Sequence, residues 1–241
     1  MIVLIVAGIA FVLMGIEYLW PGRRWPRATG WWARAIAING FQIGSVFLAG
    51  IAWERWFRGP HLVSLASLGR PAELVIGYLI YVVWMYWSHR ARHQIDLLWR
   101  TLHQLHHSPQ RIEILTAFYK HPVEIVLESI ASSALLYLVL GISPPAVFVI
   151  STVSGIANLF YHWNIATPRW LGYVIQRPES HCVHHEQDVH AYNYCELPLI
   201  DMVFGTFRNP ARFDRSCGFA PGREQQFAKL LLGRDVNGQQ S

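Results

Sequence analysis

The topology of this chain depends on residues 123–160, which read VEIVLESIASSALLYLVLGISPPAVFVISTVSGIANLF. The stretch is mostly apolar, but Gly141, Ser143, Pro144 and Pro145 interrupt it at the centre. Each half is shorter than the ~20 residues of a full membrane span, and glycine followed by proline is typical of the turn between two helices. The stretch therefore predicts a hairpin of two helices of roughly 17 residues each, suited to a locally thin membrane.

Three further apolar stretches precede the hairpin, at residues 2–20, about 32–53 and about 72–87. Hydrophobic residues make up 53% of the 241-residue chain and charged residues 15%, and the mean hydropathy is +0.24. This composition is too apolar for an ordinary soluble domain. We therefore expect an all-α integral membrane protein with about four to five transmembrane helices.

Arginines determine the expected orientation. Arg23, Arg24, Arg27 and Arg34 crowd the loop after the first apolar stretch, and basic loops tend to stay on the cytoplasmic side. Three arginines in the opposite loop weaken this bias: Arg55, Arg58 and Arg70. We expect the segment from residue 88 onward to emerge in the cytoplasm and, in a bacterium, the chain to lie in the inner membrane. Because the arginines flank apolar runs, the net charge of +5 does not indicate nucleic-acid binding.

The hairpin also predicts on which side of the membrane the histidines lie. It leaves and returns to the same membrane face, so residues 89–121 and 162–190 are expected on one side, whereas His61 falls in the opposite loop. The predicted architecture is a membrane bundle with a histidine-rich helical cap on its cytoplasmic face. Its expected parts are N-terminal transmembrane helices at 1–71, a domain at 72–210 that carries the cap, and a C-terminal cytoplasmic tail at 211–241.

The spacing of the 12 histidines is more informative than their number. His89 and His93 form H-x-x-x-H, whose two rings share one helix face and can bind one metal. Two H-x-x-H-H motifs follow, His103-Gln104-Leu105-His106-His107 and His181-Cys182-Val183-His184-His185. In each of these, we expect the first two histidines, at i and i+3, to share a face and the third to reach a second metal. One such spacing arises by chance, but three on one membrane face indicate a di-metal site.

Ligand type alone leaves the ion and the function open. Imidazole suits Fe, Zn, Cu and Ni. A zinc protease is a poor fit, because Arg90 occupies the place of the Glu in H-E-x-x-H. A membrane metal-binding or transport protein and a non-redox hydrolase remain alternatives. A transporter should carry ionisable residues within its spans, and Glu17 and Glu128 are the main candidates.

The segments around the motifs carry a recognisable set of residues: Tyr86-Trp87-Ser88 before His89, Leu98-Trp99, His121-Pro122 with Glu124, Asn158-Leu159-Phe160-Tyr161-His162 with Asn164, Pro178-Glu179, Asn193-Tyr194 and Phe204-Gly205-Thr206. On these residues, the chain between 78 and 208 resembles the fatty acid hydroxylase superfamily of membrane di-iron proteins. This superfamily includes sterol desaturases, sterol methyl oxidases and carotenoid hydroxylases.

The resemblance implies eight metal ligands: His89, His93, His103, His106, His107, His181, His184 and His185. His162, where a helix re-enters the face of the site, is the expected ninth. His121, beside Pro122 at a helix start, and His190, in a polar loop, are left open between ligation and another role. The chain departs from the pattern at Val82-Val83, Cys195 and Ile200, which removes no ligand but leaves the subfamily and the lipid open.

The resemblance also implies a chemistry. It implies two iron ions, O2 as co-substrate and oxidation of an unactivated C–H bond in a lipid, with hydroxylation favoured over desaturation. The sequence has no cytochrome, flavin or ferredoxin motif, so the electrons are expected from a separate donor protein. Four arginines lie near the motifs: Arg90, Arg92, Arg100 and Arg111. We expect them to anchor the protein at the membrane surface; binding of an anionic lipid headgroup or of an acidic electron donor is the alternative role.

Overall fold

A computed structural model describes residues 2–236 of the chain. Apart from one isolated β-bridge between Glu186 and Cys217, the regular structure of these residues is helical. The α-helices are α1 (Ile2–Leu19), α2 (Trp31–Ile51), α3 (Trp53–Phe57), α4 (Arg70–Gln94), α5 (Asp96–Leu98), α6 (Gln104–His107), α7 (Pro122–Ser133), α8 (Pro144–His162), α9 (Pro178–His184), α10 (Pro198–Val203) and α11 (Phe227–Leu231). Two π-helical turns, Trp99–His103 and Ala134–Val139, extend α5 and α7.

Three helical stretches are long and apolar enough to cross a membrane: Trp31–Phe57, Pro122–Val139 and Pro144–His162. A shorter apolar helix at Leu4–Leu19 is a fourth. The chain is therefore an all-helical protein with three to four apolar helices of membrane type. The third predicted span, residues 72–87, lies within α4, but α4 continues seven residues beyond it to Gln94 and ends in charged turns.

The predicted hairpin is present. Gly141 has a φ of 54°, in the left-handed region that glycine adopts at low cost, and Pro144 opens α8 at its first turn, where its fixed φ suits a helix start. His61 lies against this turn, where its ring faces Gly141. The turn and His61 therefore occupy the end of the bundle opposite to the start of α7 and the end of α8.

The helices around α4 form the main core. Tyr81, Val82 and Tyr86 of α4 pack with Leu136 of the hairpin and Ile150 of α8. This core packs α4 against both helices of the hairpin, and the contact of Arg92 with Glu124 joins the last turn of α4 to the start of α7.

Residues after 211 pack against the cap. Phe219, Leu230 and Val236 are buried in one cluster with Trp31 and Trp99. A buried carboxylate, Glu224, pairs with Arg34 at 3.2 Å. Residues 211–236 therefore cover the histidine-bearing segments and include one short helix, α11.

Candidate metal centre

Nine histidines lie together in two adjacent groups. The five-histidine group contains His89, His93, His103, His107 and His184, and the four-histidine group contains His106, His162, His181 and His185. Within each group, one ring nitrogen from every residue lies within 4.8 Å of the others. The two groups touch, since the His107 and His185 rings stack with centroids 4.1 Å apart. These nine positions are the ones that the sequence selected.

The two H-x-x-H-H motifs divide between the groups differently from the expectation. His103 and His107 share the five-histidine group, whereas His106 belongs to the four-histidine group. In the second of these motifs, residues 181–185, His181 and His185 share the four-histidine group, whereas His184 belongs to the five-histidine group. Around a helix, i and i+4 differ by only about 40°, whereas i+3 lies about 60° to the other side of i. The i, i+4 pair therefore shares a group, and the expected pairing of i with i+3 was wrong. His89 and His93, also at i and i+4, share a group as expected.

Local structure explains how each motif reaches the centre. His89 and His93 occupy the last turns of α4, beyond its apolar part. His103 closes the π-helical turn Trp99–His103 and leads directly into α6. Because a π-turn inserts an extra residue per turn, it changes the direction of the side chains that follow. Such turns are frequent at functional sites.

Backbone carbonyls orient four of the nine rings. The Nδ1 atoms of His89, His162 and His184 lie 2.8, 2.8 and 2.7 Å from the carbonyl oxygens of Tyr194, Asn158 and Tyr192. His106 Nδ1 lies 3.3 Å from the Tyr119 carbonyl. A carbonyl can only accept, so Nδ1 carries the proton in each ring. Nε2 is then left as the free lone pair, which is how metal-binding histidines are held in proteins.

Side chains hold three further rings, of which His181 has its Nδ1 3.0 Å from the side-chain amide of Gln176. His103 Nδ1 lies 2.9 Å from a carboxylate oxygen of Glu124, the first acidic residue of α7. His107 Nδ1 lies 3.2 Å from Nδ1 of His190. A single sequence does not show the contacts of His103 and His107, because each joins positions that are far apart in the chain.

The donor atoms fit metal ions. His89 Nε2 and His103 Nε2 are 3.0 Å apart, and His181 Nε2 is 3.0 Å from His162 Nε2. Two imidazoles bound to one metal at about 2.1 Å have nitrogens about 3.0–3.4 Å apart when the angle at the metal is 90–109°.

Five further ring nitrogens of the nine residues are buried without a hydrogen-bond partner in the described chain: His93 Nδ1 and Nε2, His107 Nε2, His184 Nε2 and His185 Nδ1. Buried polar atoms are normally satisfied, and a metal ion in each group would satisfy one nitrogen of each ring. The residues present therefore fit a di-metal site.

Burial keeps these rings neutral, the protonation state that a metal needs. It lowers the pKa of His184 from 6.5 to about 3. Burial, followed by the proximity of other histidines, holds the pKa of five more rings well below the usual value: His103, His106, His107, His181 and His185.

An irregular loop closes the centre. Asp188, His190, Tyr192 and Asn193 all have positive φ, between 41° and 67°, which is uncommon for non-glycine residues. The Asn193 side chain donates to the carbonyls of Ser180 and Arg208, at 2.8 and 2.9 Å. These bonds fix the loop whose Tyr192 carbonyl orients His184.

Asp201 anchors the end of the same loop. Its carboxylate accepts from the backbone N–H groups of Tyr194 and Cys195 and from the Thr206 hydroxyl, at 2.8, 2.9 and 2.7 Å. Burial raises the pKa of Asp201 to about 6. The Tyr194 carbonyl that orients His89 is therefore held through Asp201.

The remaining histidines take other roles. His121 is the N-cap of α7: its Nδ1 accepts from the N–H of Val123 and its Nε2 donates to the Leu231 carbonyl, both at 3.1 Å. His190 is buried beside His107 but belongs to neither group. Asp188 is exposed and accepts a hydrogen bond from the Gln187 side-chain amide at 3.4 Å.

The fold and the centre together define a class: a helical protein with apolar helices of membrane length and two adjacent clusters of buried histidines. The sequence model for "Fatty acid hydroxylase" matches residues 74–206. This match covers more than half of the chain and contains all nine histidines. The chain belongs to the fatty acid hydroxylase family.

Several curated proteins are similar at low identity. A sphinganine C4-monooxygenase of Arabidopsis thaliana is 27% identical over 56% of this chain and 54% of its own length. An ornithine lipid hydroxylase of Rhizobium tropici is 31% identical over 58% of this chain and 43% of its own. The human alkylglycerol monooxygenase is 30% identical over 51% and 27%. The chain thus spans about half, or less, of these relatives, which by name are oxidoreductases that act on lipids. No solved structure matches it significantly.

Proposed function

We propose that this chain is a membrane di-iron enzyme that uses O2 to hydroxylate an unactivated C–H bond of a lipid. The observation that carries the proposal is the pair of touching histidine groups, within a chain of the fatty acid hydroxylase family. The proposed ligands are His89, His93, His103, His107 and His184 for one iron and His106, His162, His181 and His185 for the other.

In this chemistry the protein holds the metal ions, orients the rings that bind them and shields the centre from solvent. The buried rings present neutral nitrogens, and their hydrogen bonds fix the direction in which each faces. Iron, when bound, supplies the activation of O2 and the oxidation of the C–H bond. The balanced reaction takes R–H, O2, two electrons and two protons to R–OH and water, and the electrons come from a separate donor protein. Desaturation, which would convert the same reactants to an alkene and two waters, is the alternative outcome at this site.

Two largely apolar cavities along α7 support a lipid substrate, and the first of them reaches Glu124, which contacts the ring of His103. A cavity of about 260 Å³ lies between α4 and α7, and one of about 520 Å³ lies between α5, α7 and the residues after α11. Leu98, Leu102 and Leu127 line both of them, so the two cavities are adjacent. Their leucine-rich walls suit a hydrocarbon chain that enters from the membrane.

The transport alternative has less support. Glu17 accepts from the backbone N–H groups of Ile114 and Asn164, and Glu128 pairs with Arg92 and Lys120. Both carboxylates have structural partners, and the described residues show no second cluster of ligands along the helices.

The proposed catalytic domain comprises residues 72–210. The arginines at positions 23–34 support placing its metal centre on the cytoplasmic side.

Metal analysis and lipidomics test the proposal together. The purified chain should hold two irons, and a strain that lacks it should lose a lipid that is heavier by about 16 mass units than its precursor, or lighter by about 2 for desaturation. His106→Ala and His184→Ala, one in each group, should abolish the product, whereas His61→Ala should not. Normal product from either of the first two variants would contradict the proposal. Hydrolysis without O2 consumption would favour a non-redox hydrolase.

A further inference from the structure

The two histidine groups differ in how their rings are supported. In the four-histidine group, His106 and His162 lie against neutral backbone carbonyls, and His181 lies 3.0 Å from the side-chain amide of Gln176. In the five-histidine group, His103 is hydrogen-bonded to a carboxylate, that of Glu124. Within the described part of the chain, this is the one ion-pair contact between a carboxylate and any of the nine rings.

The contact between His103 and Glu124 is buried, and Arg92 stabilises it. Glu124 is 1% exposed and His103 1%. The guanidinium of Arg92, 6% exposed, contacts the same Glu124 oxygen that His103 contacts. Arg92 supplies the counter-charge that a buried carboxylate needs, and it is itself held by the carbonyl and hydroxyl oxygens of Ser88, at 3.2 and 2.9 Å.

The charge of the network balances without any metal. Arg92 also reaches Glu128 at 3.3 Å, and Lys120 reaches Glu128 at 3.1 Å. Two cations thus face two carboxylates, Glu124 and Glu128, but only Glu124 touches a histidine. Glu128 therefore offers a matched control, since it carries the same charge in the same network.

A carboxylate behind an imidazole has a known effect on a metal site. It keeps the proton on Nδ1, turns Nε2 toward the metal and increases the basicity of the ring, and losing such a partner typically weakens metal binding by about 10- to 100-fold. We infer that Glu124 is a positioning residue that makes the five-histidine group the tighter of the two metal positions. The inference rests on the proposed di-metal function, and it adds that the two positions fill in order.

The test is a Co²⁺ titration of the metal-free full-length chain in detergent, followed by the visible absorption of the bound ion. The wild-type chain should bind two ions in two resolved phases. His89→Ala should weaken the first phase and His106→Ala the second, which assigns each phase to a group. Glu124→Gln should weaken the first phase by about 10- to 100-fold and leave the second in place. Glu128→Gln should change the first phase by less than about 3-fold.

A folding control keeps the result interpretable. If Glu124→Gln fails to fold because Arg92 loses its partner, the double variant Arg92→Gln, Glu124→Gln removes both charges together and should show the same weakened first phase. Two wild-type phases of equal affinity, or equal effects of Glu124→Gln and Glu128→Gln, would overturn the inference but leave the proposed function standing. A wild-type chain that binds no metal would instead contradict the proposed function.

Discussion

The buried histidines should make the metal-free protein sensitive to acid, and His190 allows this to be measured at one residue. His190 is 4% exposed, and burial lowers its pKa from 6.5 to about 3. Above the unfolded value of 6.5, the ring is neutral in both states. Between 6.5 and 3, the unfolded chain binds a proton that the folded chain excludes. The contribution of neutral His190 to the free energy of unfolding is therefore fully present above pH 6.5 and is lost as the pH falls below that value.

The size of the effect follows from the two pKa values. Lowering the pH from 7 to 5 should cost about 2 kcal/mol for a histidine with these values. His184, whose pKa is also about 3, should contribute the same amount. Together they account for about 4 kcal/mol, a large part of the 5–15 kcal/mol that stabilises a typical domain.

The proposed variant is His190→Asn, which cannot titrate in this range and tolerates the positive φ of 41° at this position better than most residues do. The free energy of unfolding would be measured by denaturant titration of metal-free protein in detergent, at about pH 7 and about pH 5. The loss between the two pH values should be smaller in the variant by about 2 kcal/mol. His61→Asn, at an exposed position, should lose as much as the wild type. Equal losses in His190→Asn and the wild type would refute the reasoning.

Four further outcomes are expected. Asp201→Ala should lower the free energy of unfolding by about 3 kcal/mol, because it leaves buried N–H donors unpaired; an unchanged denaturation midpoint would contradict the role given to it. Gly218→Ala should cost more than about 1 kcal/mol, since φ is 76° and the new Cβ would meet the backbone of Pro109; thermal melting would show it, and an unchanged melting temperature would speak against strain at this position. Arg92→Met should cost about 3–5 kcal/mol by leaving the buried Glu124 carboxylate without its guanidinium, and denaturant titration that shows less than 1 kcal/mol would argue against a charged pair. Metal at about 100 times its dissociation constant should add about 2.7 kcal/mol of stability that a chelator removes; a melting temperature that ignores both would argue against specific binding.

The sequence predicted much of the architecture because strong local signals marked it. Gly141 with Pro144 and Pro145 marked the hairpin turn, and the apolar runs marked the long helices, although α4 continues seven residues beyond its run. The placement of His61 at the far end followed from the same topology. These features depend on turn chemistry and hydropathy, which act over short stretches of chain.

The finer arrangement of the centre depends on contacts that a single sequence does not display. His103 meets Glu124 only because the π-helical turn Trp99–His103 packs against the start of α7. His107 meets His190 only because a loop with several positive φ angles folds back over α6. Helix geometry already separates i+3 from the i, i+4 pair in each H-x-x-H-H motif, but which group each pair enters depends on the direction of its helix, which spacing alone leaves open.

That crossed division has a consequence for how the protein is made. Each histidine group includes at least one residue from the third motif, residues 181–185, which the ribosome adds after both helices of the hairpin. A nascent chain that ends before His181 has four residues of one group and two of the other, and neither set is complete. Metal insertion would therefore follow the assembly of the helices in the bilayer, and the two positions would become available within the synthesis of a single helical turn.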